Sequence, residues 1–431
     1  MLDNLTEHDE SQNIVVIAGS ESYAFDIGRV AGGLAKAFLL RYTPIGDFNG
    51  SMFELYRFNG SKCLRTATLK VPLRAKGKVR RMISRPPFFV INTMASAAFA
   101  VKAVRTSKSG RTRTFAIGIG WGGALICLIM KYLRLVNRIV YYRVDWFVPI
   151  QGDLYSHVSV GFFRSLDSFL SSHSDSVWNL TEAIGNCSSS TEAKDRQDLV
   201  IIPPIRLPAA FADAGTSQFD PVYFVYFGEV KPGCGLPVIL EAFDILNKSG
   251  DRYELRIIGR SRPEYFANLS RRFFHLFDDG CCKYLGPVDV GDPIERERLD
   301  AEIRSAFAGF AITPGGLSNT SNFALQNRVM IYVANCTPTI INEDSAVAKW
   351  LSARGLALSV DSNPDSIAST VRLIVGSKEI VQSLRSSIRQ FLTKDEPNDM
   401  MREAILVLLG APNTIKNTTP SHNLSVEKRL S

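Results

Sequence analysis

Three places in the 431-residue sequence bring together residue types that do chemistry. In the first, Phe310–Asn342 (FAITPGGLSNTSNFALQNRVMIYVANCTPTIIN), an apolar strand ends at Pro314. A Gly/Ser/Asn loop, an amphipathic helix over 325–335 and a second strand from Thr339 follow. That order sets backbone N–H groups at a helix N-terminus, where an anion is stabilised by about 0.3–1 kcal/mol. Arg328, in the first turn, adds a cation able to grip a phosphate through two parallel hydrogen bonds. An ordinary βαβ connection with a solvated arginine fits the same periodicity. The second place is Gly228–Gly235, a loop with three glycines and Lys231 between an apolar run and a helical one. The third is Gly118, Gly120 and Gly123, which spell GxGxxG, with Asp145 about twenty residues further on, the spacing of a dinucleotide-binding fingerprint. Against that reading, the motif falls in mid-domain and not in the first βα turn.

Metal and thiol chemistry find less support. The seven cysteines are odd in number and form no CxxC pair, which argues for a reducing compartment and against a disulfide framework or a structural zinc. Asp278-Asp279 and Asp289–Asp292 read as solvated loops, and His157 and His173 as surface or supporting residues.

The elements that must position these residues follow an α/β pattern. With 45 % hydrophobic residues, a chain of this length is expected to build two cores. The first half gives a strand at Asn13–Ala18, a helix over 27–40, a strand at 88–92 and a helix over 95–104. Then come strand 114–118, helix 124–136 and strand 138–144, whose spacing implies a right-handed crossover and a parallel sheet. A helix over 158–171 and a strand at 176–179 close this half. The uncharged run Thr114–Met130 contains four glycines and falls short of the roughly 20 residues that a membrane span needs. A proline-rich stretch, Pro203–Pro221, reads as the link between halves. The second half restarts with strand 222–227, loop 228–235, helix 236–246, strand 253–258, strand 283–285, the Phe310–Asn342 unit, strand 356–360 and helices 364–376 and 378–391. The expected domains are therefore 13–205, a linker 206–221, a second domain 222–392, a C-terminal helix 393–410 and a disordered tail 411–431.

Charge is unevenly placed. Between Leu55 and Val144 there are nineteen Lys and Arg and no Asp or Glu, which leaves 31 basic against 42 acidic residues elsewhere despite a net charge of +8. Such a field concentrates anionic partners: membrane surface, nucleic acid or phosphorylated substrates. Val71–Ile91 interleaves Met82, Ile83, Phe88 and Phe89 with bases, as a membrane-surface patch does and as a basic helix leading into a buried strand also would. The first twelve residues carry four acids and no base, so no secretory signal is expected and the chain is expected in the cytoplasm.

Several segments, in order and spacing, resemble the nucleotide-sugar domain of GT-B glycosyltransferases. They are GEVKPGCGLPVILEAF (228–243), RIIG (256–259), KYLGPV (283–288), ITP (312–314) and NRVMIYVANCTPTII (327–341). RIVYYRVDWF (138–147) and SDSVWNLTEAI (174–184) are similar to the end of the acceptor domain in bacterial members that build exopolysaccharide on a membrane lipid, such as the glucuronosyltransferase of xanthan assembly. The resemblance implies a GT-B fold, α/β, with two Rossmann-like doubly wound domains facing each other across a cleft. It implies a donor site made of Gly228, Glu229, Val230, Lys231, Gly259, Pro287, Val288, Asn327, Arg328 and Tyr332. Arg328 stands where the family has a lysine that meets the donor diphosphate, and Pro287 and Val288 where the base lies. Asp145 matches the general base of inverting members.

The departures matter too. Phe323 and Ile331 occupy the places of the EX7E glutamates of retaining members, and Glu229 and Cys234 stand where many relatives have Arg and Lys. Inverting transfer, with Lys231 and Arg328 as phosphate cations and neither metal nor cofactor, is the expectation that follows. The implied partners are a nucleotide sugar, UDP-linked, a polyprenyl diphosphate-linked glycan acceptor and the anionic inner face of the plasma membrane, with no nucleic acid. Two rivals stay open: an NAD(P)-dependent oxidoreductase using Gly118–Gly123, and a non-catalytic basic adaptor at a membrane or nucleic acid.

Overall fold

A computed structural model describes residues 13–19, 23–42, 51–60, 62–71, 112–146, 154–187, 199–205, 222–288, 293–313, 325–394 and 396–411, with three isolated positions at 98, 101 and 105. Outside them lie the basic stretch after Val71, the expected strand 88–92, most of the expected helix 95–104, the linker 206–221, the loop 314–324 and the tail from 412. The chain divides into two compact units. The first runs to Ile205 and includes the C-terminal segment from Pro397; the second holds Arg206–Glu396.

The first unit is built on an eight-stranded sheet in the order β4-β3-β2-β1-β5-β6-β7-β8. β1 (Asn13–Gly19) pairs in parallel with β2 (Lys36–Tyr42) on one side and β5 (Arg113–Ile119) on the other. β6 (Arg138–Arg143), β7 (Ser176–Asn179) and β8 (Leu199–Val200) continue the parallel run. β3 (Ser51–Asn59) and β4 (Lys62–Val71) form an antiparallel hairpin at the edge beside β2. The helices are α1 (Ala24–Gly32), α2 (Gly120–Tyr132), α3 (Leu154–His173) and α4 (Glu182–Cys187).

The helix expected over 27–40 is corrected here: it stops at Gly32, and Lys36–Tyr42 is a strand. Two physical reasons account for this. Gly32 and Gly33 interrupt the helix, and a Cβ on Gly32 would come within 2.8 Å of the Gly60 carbonyl oxygen. Ala37, Phe38, Leu39 and Leu40 are then all buried, as a central strand covered on both faces requires. The run Thr114–Met130 divides into β5 and α2, and no helix among the described residues is long and apolar enough to cross a membrane.

The second unit is a six-stranded, wholly parallel sheet in the order β11-β10-β9-β12-β13-β14. In chain order the strands are β9 (Tyr223–Phe227), β10 (Glu254–Ile258), β11 (Cys282–Gly286), β12 (Ala308–Ala311), β13 (Thr339–Asn342) and β14 (Ala357–Val360). Strand order therefore reverses between β9 and β12, the switch point at which ligands of doubly wound sheets bind. The helices are α5 (Leu236–Lys248), α6 (Pro263–Arg272), α7 (Phe274–Asp278), α8 (Pro293–Ser305), α9 (Asn327–Ala334), α10 (Ala348–Ala353), α11 (Pro364–Gly376) and α12 (Lys378–Thr393). α13 (Glu396–Leu409) belongs with the first unit.

Phe224, the second residue of β9, packs edge-on against Phe243 of α5 and Phe307 at centroid distances of 5.9 and 5.8 Å, and tilted against Phe310 of β12 at 5.7 Å. Truncating such a ring costs about 3–5 kcal/mol. This aromatic cluster fixes the two switch strands against α5.

Candidate functional site

The loops leaving β9, β10 and β11 are laced together by backbone. Gly228 N–H donates to the Ile258 carbonyl and Gly259 N–H to the Gly286 carbonyl, each at 2.9 Å. Gly228 and Gly259 have φ of 150° and 142°, values that side chains other than glycine's rarely adopt, and a Cβ on Gly259 would overlap the Gly228 carbonyl. Val230, fully buried, bridges to Ser261; its N–H donates to the Arg260 carbonyl at 2.8 Å and its carbonyl accepts from Arg262 at 3.1 Å. Tyr284 donates its hydroxyl proton to the Gly259 carbonyl at 2.8 Å. Pro287, exposed, and Val288, half-buried, follow β11 directly.

Across the switch, Gly235 lies so close to the end of β12 that a Cβ would overlap the Ile312 carbonyl, so only glycine fits at the residue just before α5. α9 begins on the far side. Gln326, just before it, donates from Nε2 to the Ala311 carbonyl at 3.1 Å, and Asn327 is the exposed first residue of the helix.

Arg328, in the first turn of α9, points back toward β9. Its guanidinium carbon is 4.8 Å from the Tyr226 ring centroid, and a Cβ on Gly228 would come within 3.2 Å of that carbon. Its Nη1 is buried and makes no hydrogen bond among the described residues, and Gln326 Oε1 is in the same position. A buried donor and a buried acceptor at one helix start each cost about 1–3 kcal/mol if left without a partner, so both call for one beyond the described residues. Lys231 lies on the β9 side, its Nζ 2.6 Å from Glu229 Oε2, with both side chains 47 % exposed. That exposed pair is held loosely enough for an anion to compete for the lysine.

Tyr332 is the exception in the expected donor set. It is fully buried; its hydroxyl accepts from Phe227 N–H at 2.9 Å and donates to the Phe310 carbonyl at 3.2 Å, while its ring presses on Gly309. Burial pushes its phenol well above the ordinary range. The tyrosine therefore clamps β9 to β12 behind the site and does not line it. Gly228, Glu229, Val230, Lys231, Gly259, Pro287, Val288, Asn327 and Arg328 are gathered at the C-terminal ends of one sheet.

Sequence reasoning passed over Tyr226 and Gln326. Tyr226 stood within the apolar run VYFVYF, where a polar-tipped ring in a fully buried strand was the one available signal. Burial pushes its hydroxyl up to about 12, so it stays neutral near pH 7.

Asp145 belongs to the first unit, two residues past β6, and is half-buried. Behind it, Arg143 is fully buried and completely engaged, by Asp167 at 3.0 Å, Asn179 at 3.0 Å and Ser171 at 2.5 Å, with Tyr141 also donating to Asp167 at 2.7 Å. This network fixes the strand from which Asp145 emerges. Two glycines of the GxGxxG have a packing explanation of their own, while Gly120 has a φ of 63° and room for a Cβ. A Cβ on Gly118 would overlap Ala124 of α2, and one on Gly123 would overlap the Ala18 carbonyl of β1. No cluster of potential metal ligands occurs among the described residues.

No protein-family model and no curated protein matches the sequence. Solved structures do match. A UDP-forming α,α-trehalose-phosphate synthase from Burkholderia vietnamiensis is 14 % identical, with 92 % of this chain aligned to 99 % of that one at a TM-score of 0.63. Sucrose-phosphate synthase from Thermosynechococcus elongatus is 13 % identical over 92 % and 98 %, at 0.60. HepE from Anabaena, in complex with UDP, is 10 % identical over 93 % and 100 %, at 0.59. The fold of this chain is of the GT-B class.

Proposed function

We propose that the protein transfers a sugar from a nucleotide-sugar donor, UDP-linked, to a lipid-linked or polysaccharide acceptor in the synthesis of bacterial exopolysaccharide or another cell-surface glycan, with inversion. The observation that carries this is the buried Nη1 of Arg328 at the start of α9, beside the glycine loop after β9, with no hydrogen-bond partner among the described residues. A diphosphate there would accept from Arg328 and Lys231 and lie on the helix N-terminus, so protein cations would take the charge of the departing nucleoside diphosphate without a metal. The trehalose-phosphate synthase is UDP-forming, and HepE was crystallised with UDP and with UDP and glucose, which supports a UDP-linked donor. In this reading Asp145 takes the proton of the acceptor hydroxyl.

The basic first half would grip the phosphates of a polyprenyl diphosphate-linked acceptor and hold the enzyme on the cytoplasmic face of the membrane. The oxidoreductase alternative rests on three glycines, two of which, Gly118 and Gly123, packing against Ala124 and Ala18 already requires. Calorimetric titration of UDP into the full chain and into Arg328→Ala tests the donor reading.

A further inference from the structure

Glu229 is the single acid of the loop Gly228–Gly235, and a carboxylate is out of place where a diphosphate is to be held. Its position is set by the backbone. Val230 is fully buried and bridged to Ser261, with its N–H donating to the Arg260 carbonyl at 2.8 Å. The side chains of its two neighbours, Glu229 and Lys231, therefore turn the other way, outward. They meet there at 2.6 Å, Oε2 to Nζ, both half-exposed. Directly before Glu229, Gly228 lies against the Arg328 guanidinium, whose carbon a Cβ at that position would approach to 3.2 Å. The carboxylate thus touches one of the cations assigned to the phosphates and follows in sequence the residue that touches the other. An exposed ion pair of this kind adds little stability, so the fold gives no reason for an acid here.

We propose that Glu229 sets the preference of this loop for a nucleotide sugar over the spent nucleoside diphosphate. The inference rests on the donor reading above. In the transfer, the bond between C1 of the sugar and the β-phosphate oxygen breaks as C1 bonds to the acceptor oxygen, whose proton Asp145 takes. The electron pair stays on the phosphate oxygen. UDP therefore leaves with about one more negative charge than the UDP-sugar carried, since the second ionisation of a terminal phosphate lies at about pH 6. A diphosphate that draws Lys231 away from Glu229 leaves an uncompensated carboxylate close to that new charge. Like charges at such range repel, and the product, with the larger charge, is repelled more than the donor. Arg328 and Lys231 hold the donor, and Glu229 limits how tightly they hold what remains of it.

The test is calorimetric titration of UDP and, separately, of its β-methyl ester into the full chain, free of divalent cations and at a pH where the terminal phosphate of UDP is ionised. The ester has the donor's charge and no sugar to be mismatched. Glu229→Gln should tighten UDP by roughly tenfold and the ester by roughly threefold, because one repulsive charge is removed. The melting midpoint without ligand should not change. Glu229→Asp keeps the charge and should keep the parent's ratio of the two affinities. If Glu229→Gln tightens both ligands equally or changes neither, the inference is overturned and the pair is a solvated surface contact. If it weakens both, the carboxylate serves to position Lys231, which also overturns the inference. A parent that binds UDP and not the ester has the opposite preference and does the same. In each of these cases the donor reading stands, whereas a parent that does not bind UDP at all overturns both.

Discussion

Arg328 rests on Tyr226: the guanidinium carbon stands 4.8 Å from the ring centroid, and no carboxylate among the described residues pairs with it. An aromatic face holds a cation by about 0.5–2 kcal/mol without neutralising it. A carboxylate partner would have to be displaced before a phosphate could bind. The ring leaves the positive charge available, and its own place is fixed by burial in β9.

The neutrality of that ring gives a pH signature. Burial pushes Tyr226 up to about 12, against an ordinary tyrosine near 10 in the unfolded chain. The unfolded chain gives up its proton first, so this contribution to stability is complete below about pH 10 and is lost as pH rises through about 12. Tyr223 shifts in the same sense and also to about 12. Tyr226→Phe should therefore flatten the fall in melting midpoint across that window by part of its slope. A slope identical to the parent's would assign the alkaline transition to other groups.

Gly123→Ala places a methyl group against the Ala18 carbonyl, where β1 and α2 meet. Overpacking at such a contact costs about 1–3 kcal/mol or more. The expected result is a lower melting midpoint whether or not nucleotide is present. NAD and NADP should leave the midpoint of the parent unmoved while UDP raises it. Stabilisation by NAD that Gly120→Ala removes would favour the oxidoreductase.

Asp145→Asn keeps the size of the side chain and removes its basicity. Turnover of a nucleotide sugar should fall by about 10²–10⁴ with donor affinity nearly unchanged. Equal loss of UDP affinity would place Asp145 in binding and not in proton transfer.

Much of the fold was legible because burial leaves plain marks. NIVVIA and VYFVYF could hardly be anything but central strands, and β7 was read to the residue. The β3–β4 hairpin was not seen, because Lys62, Arg65 and Lys70 break the apolar alternation of an edge strand. Glu54, buried there between Arg41 and Arg65, looks like a surface residue in sequence. α6 and α8 escaped for a related reason: PEYFANLSRR and PIERERLDAEIRS are polar surface helices with few apolar positions to set a period. At the site, Arg328 was visible from its place after a strand and loop, whereas Tyr226 and Gln326 were not. Their roles depend on the strand order that sets β9 beside β12, and that order is a long-range property.

Calorimetric titration of UDP against the parent and Arg328→Ala bears most directly on the donor site. Removing the buried Arg328 cation beside the glycine loop should weaken UDP by about 1.5–3 kcal/mol, or roughly 10- to 150-fold, because a charge-assisted hydrogen bond is lost. Tyr332→Phe, behind the site, should instead lower the melting midpoint more than the affinity. Equal UDP affinity in parent and Arg328→Ala, with both proteins folded, would contradict the assignment of the α9 N-terminus as the diphosphate site.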